Sequence, residues 1–198
     1  MSRLFPTIVA DPPWSYDDAK RPGSSKLHRP NSAGTEFANI GSAVRYGSMS
    51  MDELKALRVK DVAATDAHLY LWTTNAFICE AHDLARSWGF APKTVITWTK
   101  VKPDGTPSMK MGRYYRGATE HIVFAVRGKQ PLRGQAAPTA ILSPRLPHSV
   151  KPEGFYQMVE EQSPGPYLEM FARRMRLGWS AWGDQVPDAG IPLAALAA

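Results

Sequence analysis

Short apolar runs alternate along this chain with stretches rich in proline, glycine and charge. Phe5 to Ala10 reads as a buried strand, and it must stop at Asp11-Pro12-Pro13-Trp14, because two successive prolines have no ladder N–H to give. Ser50 and Glu53 have capping-box spacing, which predicts a helix running through about Leu57. His68 to Trp72 reads as a second strand, Thr73-Thr74-Asn75 as loop and cap, and Ala76 to Trp88 as a helix closed by Gly89. Lys93 to Trp98 and Glu120 to Val126 supply a third and a fourth strand.

Downstream, Leu132 to Pro147 reads as a loop. Pro152 then opens a helix with apolar spacing at Phe155, Met158 and Val159, which ends at Ser163-Pro164-Gly165. Tyr167 to Ala172 reads as a strand, and Gly178 to Gly183 as a last one, closing at Asp184-Gln185. Strands alternating with helices predict an α/β sandwich, one domain over residues 1–186, with a loose tail over 187–198. In such folds ligands bind at the carboxyl ends of the strands, where Asp11 to Trp14 would sit.

What can those four residues do? Asp11 is an acceptor-only carboxylate, Pro12-Pro13 is stiff and offers carbonyls without competing N–H groups, and Trp14 has a flat face. The set suits a flat molecule with an exocyclic amine, adenine being one: the amine donates to Asp11 and the Pro12 carbonyl while its ring lies on Trp14. The same residues also suit a plain strand-ending turn that buries a tryptophan. Residues 15 to 48 form a polar stretch longer than an ordinary connection, a lid or an insertion beside the site, near whose end Tyr46 would add an aromatic wall.

Charge changes the picture in one window. The 198 residues carry a net +6, while Lys93 through Arg133 alone hold nine Lys and Arg against Asp104 and Glu120, a local +7. There Lys100, Lys102, Lys110, Arg113, Arg116 and Lys129 interleave with Tyr114 and Tyr115, a mixture suited to phosphates and stacked or extruded bases. Lys100, Arg113 and Arg116 are the expected nucleic-acid contacts. The single Cys79 excludes an internal disulfide and a multi-cysteine zinc site, and its helical setting predicts a small buried residue. No apolar run reaches the roughly 20 residues a membrane crossing needs, and the opening residues lack a signal-peptide core, so a cytoplasmic protein is expected.

Taken in order, Asp11-Pro12-Pro13-Trp14, Tyr46-Gly47, the strand to Trp72, the Glu120 strand, His148 to Pro152 and Leu168 to Arg173 resemble the MT-A family of S-adenosylmethionine-dependent adenine-N6 methyltransferases. The resemblance covers about residues 5 to 186. It implies a Rossmann-like methyltransferase sandwich with a mostly parallel sheet and a permuted motif order, the catalytic motif preceding the cofactor strand.

The resemblance also implies residue roles. Asp11, Pro12, Pro13 and Trp14 would be the catalytic motif. Asp11, Lys151, Glu169, Arg173, Asp184 and Gln185 would bind S-adenosyl-L-methionine, with Lys151 on the methionine carboxylate and Glu169 and Arg173 near the ribose. Tyr46, Asn75 and Glu120 would line the target-base pocket. The implied substrate is nucleic acid, DNA ahead of RNA, with specificity from loops or from a second copy or partner subunit. A noncatalytic nucleic-acid-binding subunit is the competing expectation. The chain departs from the family at Met175-Arg176, where some members carry a ribose-contacting His-Asn, and at Asp184, where Asn is usual.

Overall fold

The computed structural model describes residues 4–16, 48–111, 114–147, 149–183 and 185–186; Tyr46, Arg113, His148 and Asp184 lie outside these residues, as do the 187–198 tail and most of the 15–48 stretch. The elements run β1 (Phe5–Ala10), α1 (Met51–Ala56), α2 (Val59–Val62), β2 (Ala63–Thr73), a 3-10 turn (Asn75–Phe77), α3 (Ile78–Ser87), β3 (Ala91–Val101), β4 (Thr119–Arg127), β5 (Ala140–Pro144), α4 (Glu153–Gln162), β6 (Tyr167–Met170) and β7 (Trp179–Trp182).

Seven strands form one sheet in the order β5-β3-β4-β2-β1-β6-β7. Pairs β1–β2, β1–β6, β6–β7 and β3–β5 are parallel, and β4 runs antiparallel to both β2 and β3. The mostly parallel Rossmann-like sandwich is therefore present, with β1 inside the sheet between β2 and β6, the expected cofactor strand.

Strand residues alternate between the two faces. Ile8, Ala10, Leu69, Leu71, Val123 and Ala125 pack with Leu54, Leu84, Ala85 and Trp88 of the α1–α3 side. Val9, Tyr70, Trp72, Ile122 and Phe124 pack with Phe155, Tyr156 and Val159 of α4. The Trp88 indole N–H donates to the Leu54 carbonyl at 2.9 Å and ties α1 to α3. The capping box that starts α1 forms in full: Ser50 Oγ accepts from the Glu53 N–H, and the Glu53 carboxylate accepts from the Ser50 N–H at 2.7 Å.

Several expectations need correction. Residues 140–144 form an edge strand rather than loop; their alternating half-exposure and closing proline hide a strand that only β3 requires. β2 starts at Ala63, five residues before the apolar run that marks it in the sequence, because sheet pairing carries it on. β6 stops at Met170, since Phe171 has a left-handed φ of 62° and turns the chain out of the sheet. Cys79 is exposed, because α3 buries Ala81, Leu84 and Ala85 on its opposite face.

Candidate active site

The period-2 alternation that builds the core also builds a row of charges. Val9, Trp98 and Ile122 face α4, so Asp11, Lys100 and Glu120, each two residues away along its strand or just past its end, reach the same side. Glu169 pairs in register with Val9 and joins that row from β6. Lys151, just ahead of α4, comes down from the opposite layer into it. Pro152 caps that helix and cannot extend it backwards, and Ser149, with a left-handed φ of 67°, turns the chain immediately before it.

Lys151 Nζ lies 2.9 Å from Asp11 Oδ2 and 3.2 Å from Glu120 Oε2, and sits 4.6 Å from the centre of the Trp72 ring. Its side chain is only 10% exposed. A charge so enclosed costs several kcal/mol unless it is paired, and the two carboxylates and the indole face pair it. Burial alone would pull the Lys151 ammonium down; Asp11 and Glu120 outweigh it and hold the group above its ordinary value. Burial pushes the Glu120 carboxyl up, but Lys151 and Lys100 together hold it below the usual range. The site is thus a neutral set of two lysines and two carboxylates over a tryptophan floor.

Lys100 needs a correction. It is buried, donates to Glu120 Oε1, and lies 4.5 Å over the Trp98 ring, so it does not face solvent with the other cations as a phosphate contact. Trp98 already marks that face two residues earlier, a signal the charge count alone overlooks. Arg116 does lie exposed, its Nε donating to the Lys110 carbonyl at 3.3 Å, in a loop whose Tyr114 and Tyr115 are 85% and 94% exposed. That loop keeps the expected basic and aromatic character.

Trp14 also departs from expectation. The Pro12-Pro13 turn carries the chain over the sheet edge, so Trp14 packs in the α1–α3 core, stacked on Phe77 at 5.4 Å with its indole N–H donating to the Trp72 carbonyl at 3.2 Å. Its ring is 8% exposed, so it anchors the turn rather than offering an open stacking face. Turn geometry holds the motif further: the Trp14 N–H donates to the Pro12 carbonyl at 2.9 Å and Met49 N–H to that of Pro13 at 3.0 Å. Asn75 lies across the edge from Glu120. Its Oδ1 accepts from His121 Nε2 at 2.5 Å and from the Thr119 hydroxyl at 3.3 Å.

On the β6 side, Glu169 Oε1 accepts from the Tyr156 hydroxyl at 2.6 Å. Burial raises the Glu169 carboxyl; the tyrosine partly offsets this and Asp11 adds to it. Arg173 follows the left-handed Phe171 at the mouth of the β6 turn and is half-buried. At the end of β7, Trp182 Nε1 in the α1–α3 core and, just beyond the strand, Gln185 Nε2 are buried donors without a hydrogen-bond partner among the described residues. Among the described residues no cluster of His, Cys, Asp or Glu could hold a metal ion, and no helix is long and apolar enough to cross a membrane. Sequence reasoning therefore found Asp11, Lys151, Glu120 and Glu169, which the fold brings together, and missed Trp72, which floors Lys151, and Tyr156, which holds Glu169.

Comparison with known proteins follows this geometry. The MT-A70 family model matches residues 5–185. The type II methyltransferase M.MunI of Mycoplasma sp is 31% identical over 196 residues, 96% of this chain and 82% of that protein. The N6-methyladenosine RNA methyltransferase MTA1 of Cryphonectria parasitica is 28% identical over 190 residues, 92% of this chain and 52% of that protein. The N(6)-adenine-specific methyltransferase METTL4 of Mus musculus is 27% identical over 201 residues, 93% of this chain and 38% of that protein. The chain thus spans most of the first relative and about half or less of the other two.

Proposed function

The chain belongs to the MT-A70 family of methyltransferases, and on that footing we propose that it methylates the N6 amine of adenine in nucleic acid at the tip of β1, with DNA as the substrate. The observation that carries this reading is Asp11, an acceptor-only carboxylate held at the carboxyl end of the interior strand β1 by Lys151 at 2.9 Å. A carboxylate there accepts an N–H from the amine and aims its lone pair, and the proton released as the new bond forms has Asp11 as its nearest acceptor.

S-adenosylmethionine, the methyl donor the family uses, carries a carboxylate, a ribose diol and a base. The donor set fits it: Lys151 for the carboxylate, Glu169 for the diol, and the unpartnered Gln185 Nε2 just beyond β7 for an acceptor on the nucleoside. Arg173 and Asp184 belong to the same reading. When bound, the cofactor supplies an electrophilic methyl group on a sulfonium sulfur. The chain's own contribution is positioning and exclusion of water over the Trp72 and Trp98 floor.

Extrusion of the target base into that edge follows from where Asp11 sits, since a base inside a duplex cannot reach it. Tyr46, Asn75 and Glu120 would surround the base, and Arg113 and Arg116 would meet the backbone. We favour DNA because the chain matches a type II methyltransferase over 82% of that relative's length and an RNA methyltransferase over only 52%. The test is transfer of radiolabelled methyl from S-adenosylmethionine to duplex DNA, single-stranded DNA and RNA side by side, with N6-methyladenine identified after digestion. Label in DNA supports the proposal. Label in RNA alone replaces DNA by RNA, and none in any nucleic acid leaves the noncatalytic reading.

A further inference from the structure

The side chain at position 176 has no place among the roles above. Arg176 turns inward. Its guanidinium lies 4.3 Å from the centre of the Tyr156 ring and 6.0 Å from that of Trp179. Nη1 donates to Glu153 Oε2 at 3.0 Å, Nη2 to Glu153 Oε1, and Nε to Glu160 Oε1 at 3.4 Å. Glu160 Oε1 also accepts from the Trp179 indole at 2.7 Å. Every arm of this fork is thus engaged with α4, and only 16% of the side chain is exposed. The fork covers one face of Tyr156, while Phe155 and Trp179 meet that ring in edge-on contacts, with ring centres 5.3 and 5.6 Å away.

So fixed, Tyr156 has one polar atom, and it donates to Glu169 Oε1 at 2.6 Å. The second carboxylate oxygen, Oε2, has no hydrogen-bond partner among the described residues. We propose that Tyr156 and Arg176 are a positioning pair for the ribose of the cofactor: the tyrosine holds one oxygen of Glu169, the arginine holds the tyrosine, and the free oxygen is presented to the vicinal diol. This rests on the cofactor reading given above. The pair thus reaches the ribose indirectly, through α4 and Glu169. A carboxylate anchored at one oxygen loses less rotamer freedom when a hydroxyl binds the other, so the pair acts on affinity rather than on the transfer step.

The test is calorimetric binding of S-adenosylhomocysteine, and of its 3′-deoxy analogue, to the full chain and its variants. Tyr156→Phe removes one oxygen; it should weaken S-adenosylhomocysteine about tenfold, the worth of one charge-assisted hydrogen bond. The 3′-deoxy analogue should bind wild type and Tyr156→Phe equally, and kcat with saturating S-adenosylmethionine should stay within about twofold while KM rises. Arg176→Met should weaken the parent ligand about threefold with the same dependence on the hydroxyl, and Arg176→Lys should recover part of it. If Tyr156→Phe fails to fold, Arg176→Met carries the same readout. Unchanged affinity in the variants, or equal weakening for both ligands, overturns the inference while wild-type binding keeps the cofactor reading. No binding of S-adenosylhomocysteine by wild type removes that reading itself.

Discussion

Strand β2 carries a polar cluster at its middle and another at its carboxyl end, and the two obey different rules. At the middle, His68 Nδ1 meets Ser163 Oγ at 2.8 Å and His68 Nε2 meets the Gln130 carbonyl at 3.0 Å, while the Tyr70 hydroxyl meets the same serine at 2.8 Å. Since a carbonyl only accepts, Nε2 carries the proton and Nδ1 accepts from the serine. Each of these polar groups is neutral and paired within the core. At the far end, Trp72 floors a cluster of full charges that opens towards solvent, with Asp11 30% and Glu120 22% exposed. A closed neutral network locks a helix end to a sheet. Charges held at an accessible edge cost stability to assemble and are poised to exchange partners when a ligand arrives.

Lys151→Met should have the largest effect, because it leaves Asp11 and Glu120 facing one another without their shared cation. We expect a loss of about 3 kcal/mol together with methyl transfer, and the double variant Lys151→Met/Glu120→Gln should regain much of the melting temperature but none of the activity. Denaturant titration alongside the transfer assay reads both. Recovery of activity in the double variant would break the distinction between the two clusters of β2.

Acidification separates the clusters less sharply. Burial holds His68 below its ordinary value, partly offset by the Gln130 carbonyl, and Glu120 is also held below its own. A group with a lowered folded value contributes stability above its unfolded value and loses it as pH falls through the folded one. His68 therefore begins to lose its share below about pH 6.5, and Glu120 only below about pH 4.3. His121, also lowered by burial, adds to the first step. Glu169, pushed up by burial, works in the opposite sense: its share is present at low pH and fades as pH rises through its folded value. Melting temperature against pH should thus fall first near pH 6, and His68→Gln should make that first step shallower while leaving the lower one.

The smallest effect lies outside both clusters. Arg116→Ala should lower the slope of log affinity against log salt by about 0.9 for duplex DNA or 0.7 for a single strand, without changing stability. Lys100→Arg should leave the slope alone, because that cation belongs to Glu120. A fall in slope for Lys100→Arg would return it to the phosphate contacts.

Which of these features could be read from residue order? β1 and its stop at Pro12-Pro13, the capping box at Ser50 and the helix start at Pro152 are local effects, fixed by missing N–H groups and short-range hydrogen bonds, so they were legible. The β5 strand was not, since residues 140–144 hold their shape only against β3. Residue types identified Asp11 as chemistry-bearing and the family resemblance added Lys151 and Glu120, but neither showed that one lysine would join both acids across three segments. Lys100 shows the limit of charge counting: a window of like charges fixes a sign, and only the shared face with Trp98 says which cation turns inward. Trp14 shows the converse, an aromatic chosen for its ring whose destination depends on which side of the sheet the proline turn delivers it.

The central claim, that the carboxyl end of β1 is the reaction centre while the middle of β2 is framework, is tested most directly by one paired measurement. Asp11→Asn and Ser163→Ala are compared for initial rate of methyl transfer at saturating S-adenosylmethionine and for melting temperature. Asp11→Asn should lose at least about a hundredfold in rate with a small change in melting, whereas Ser163→Ala should lose about 1 to 3 kcal/mol of stability with its rate nearly intact below its melting range. Transfer by Asp11→Asn at the wild-type rate would contradict the account.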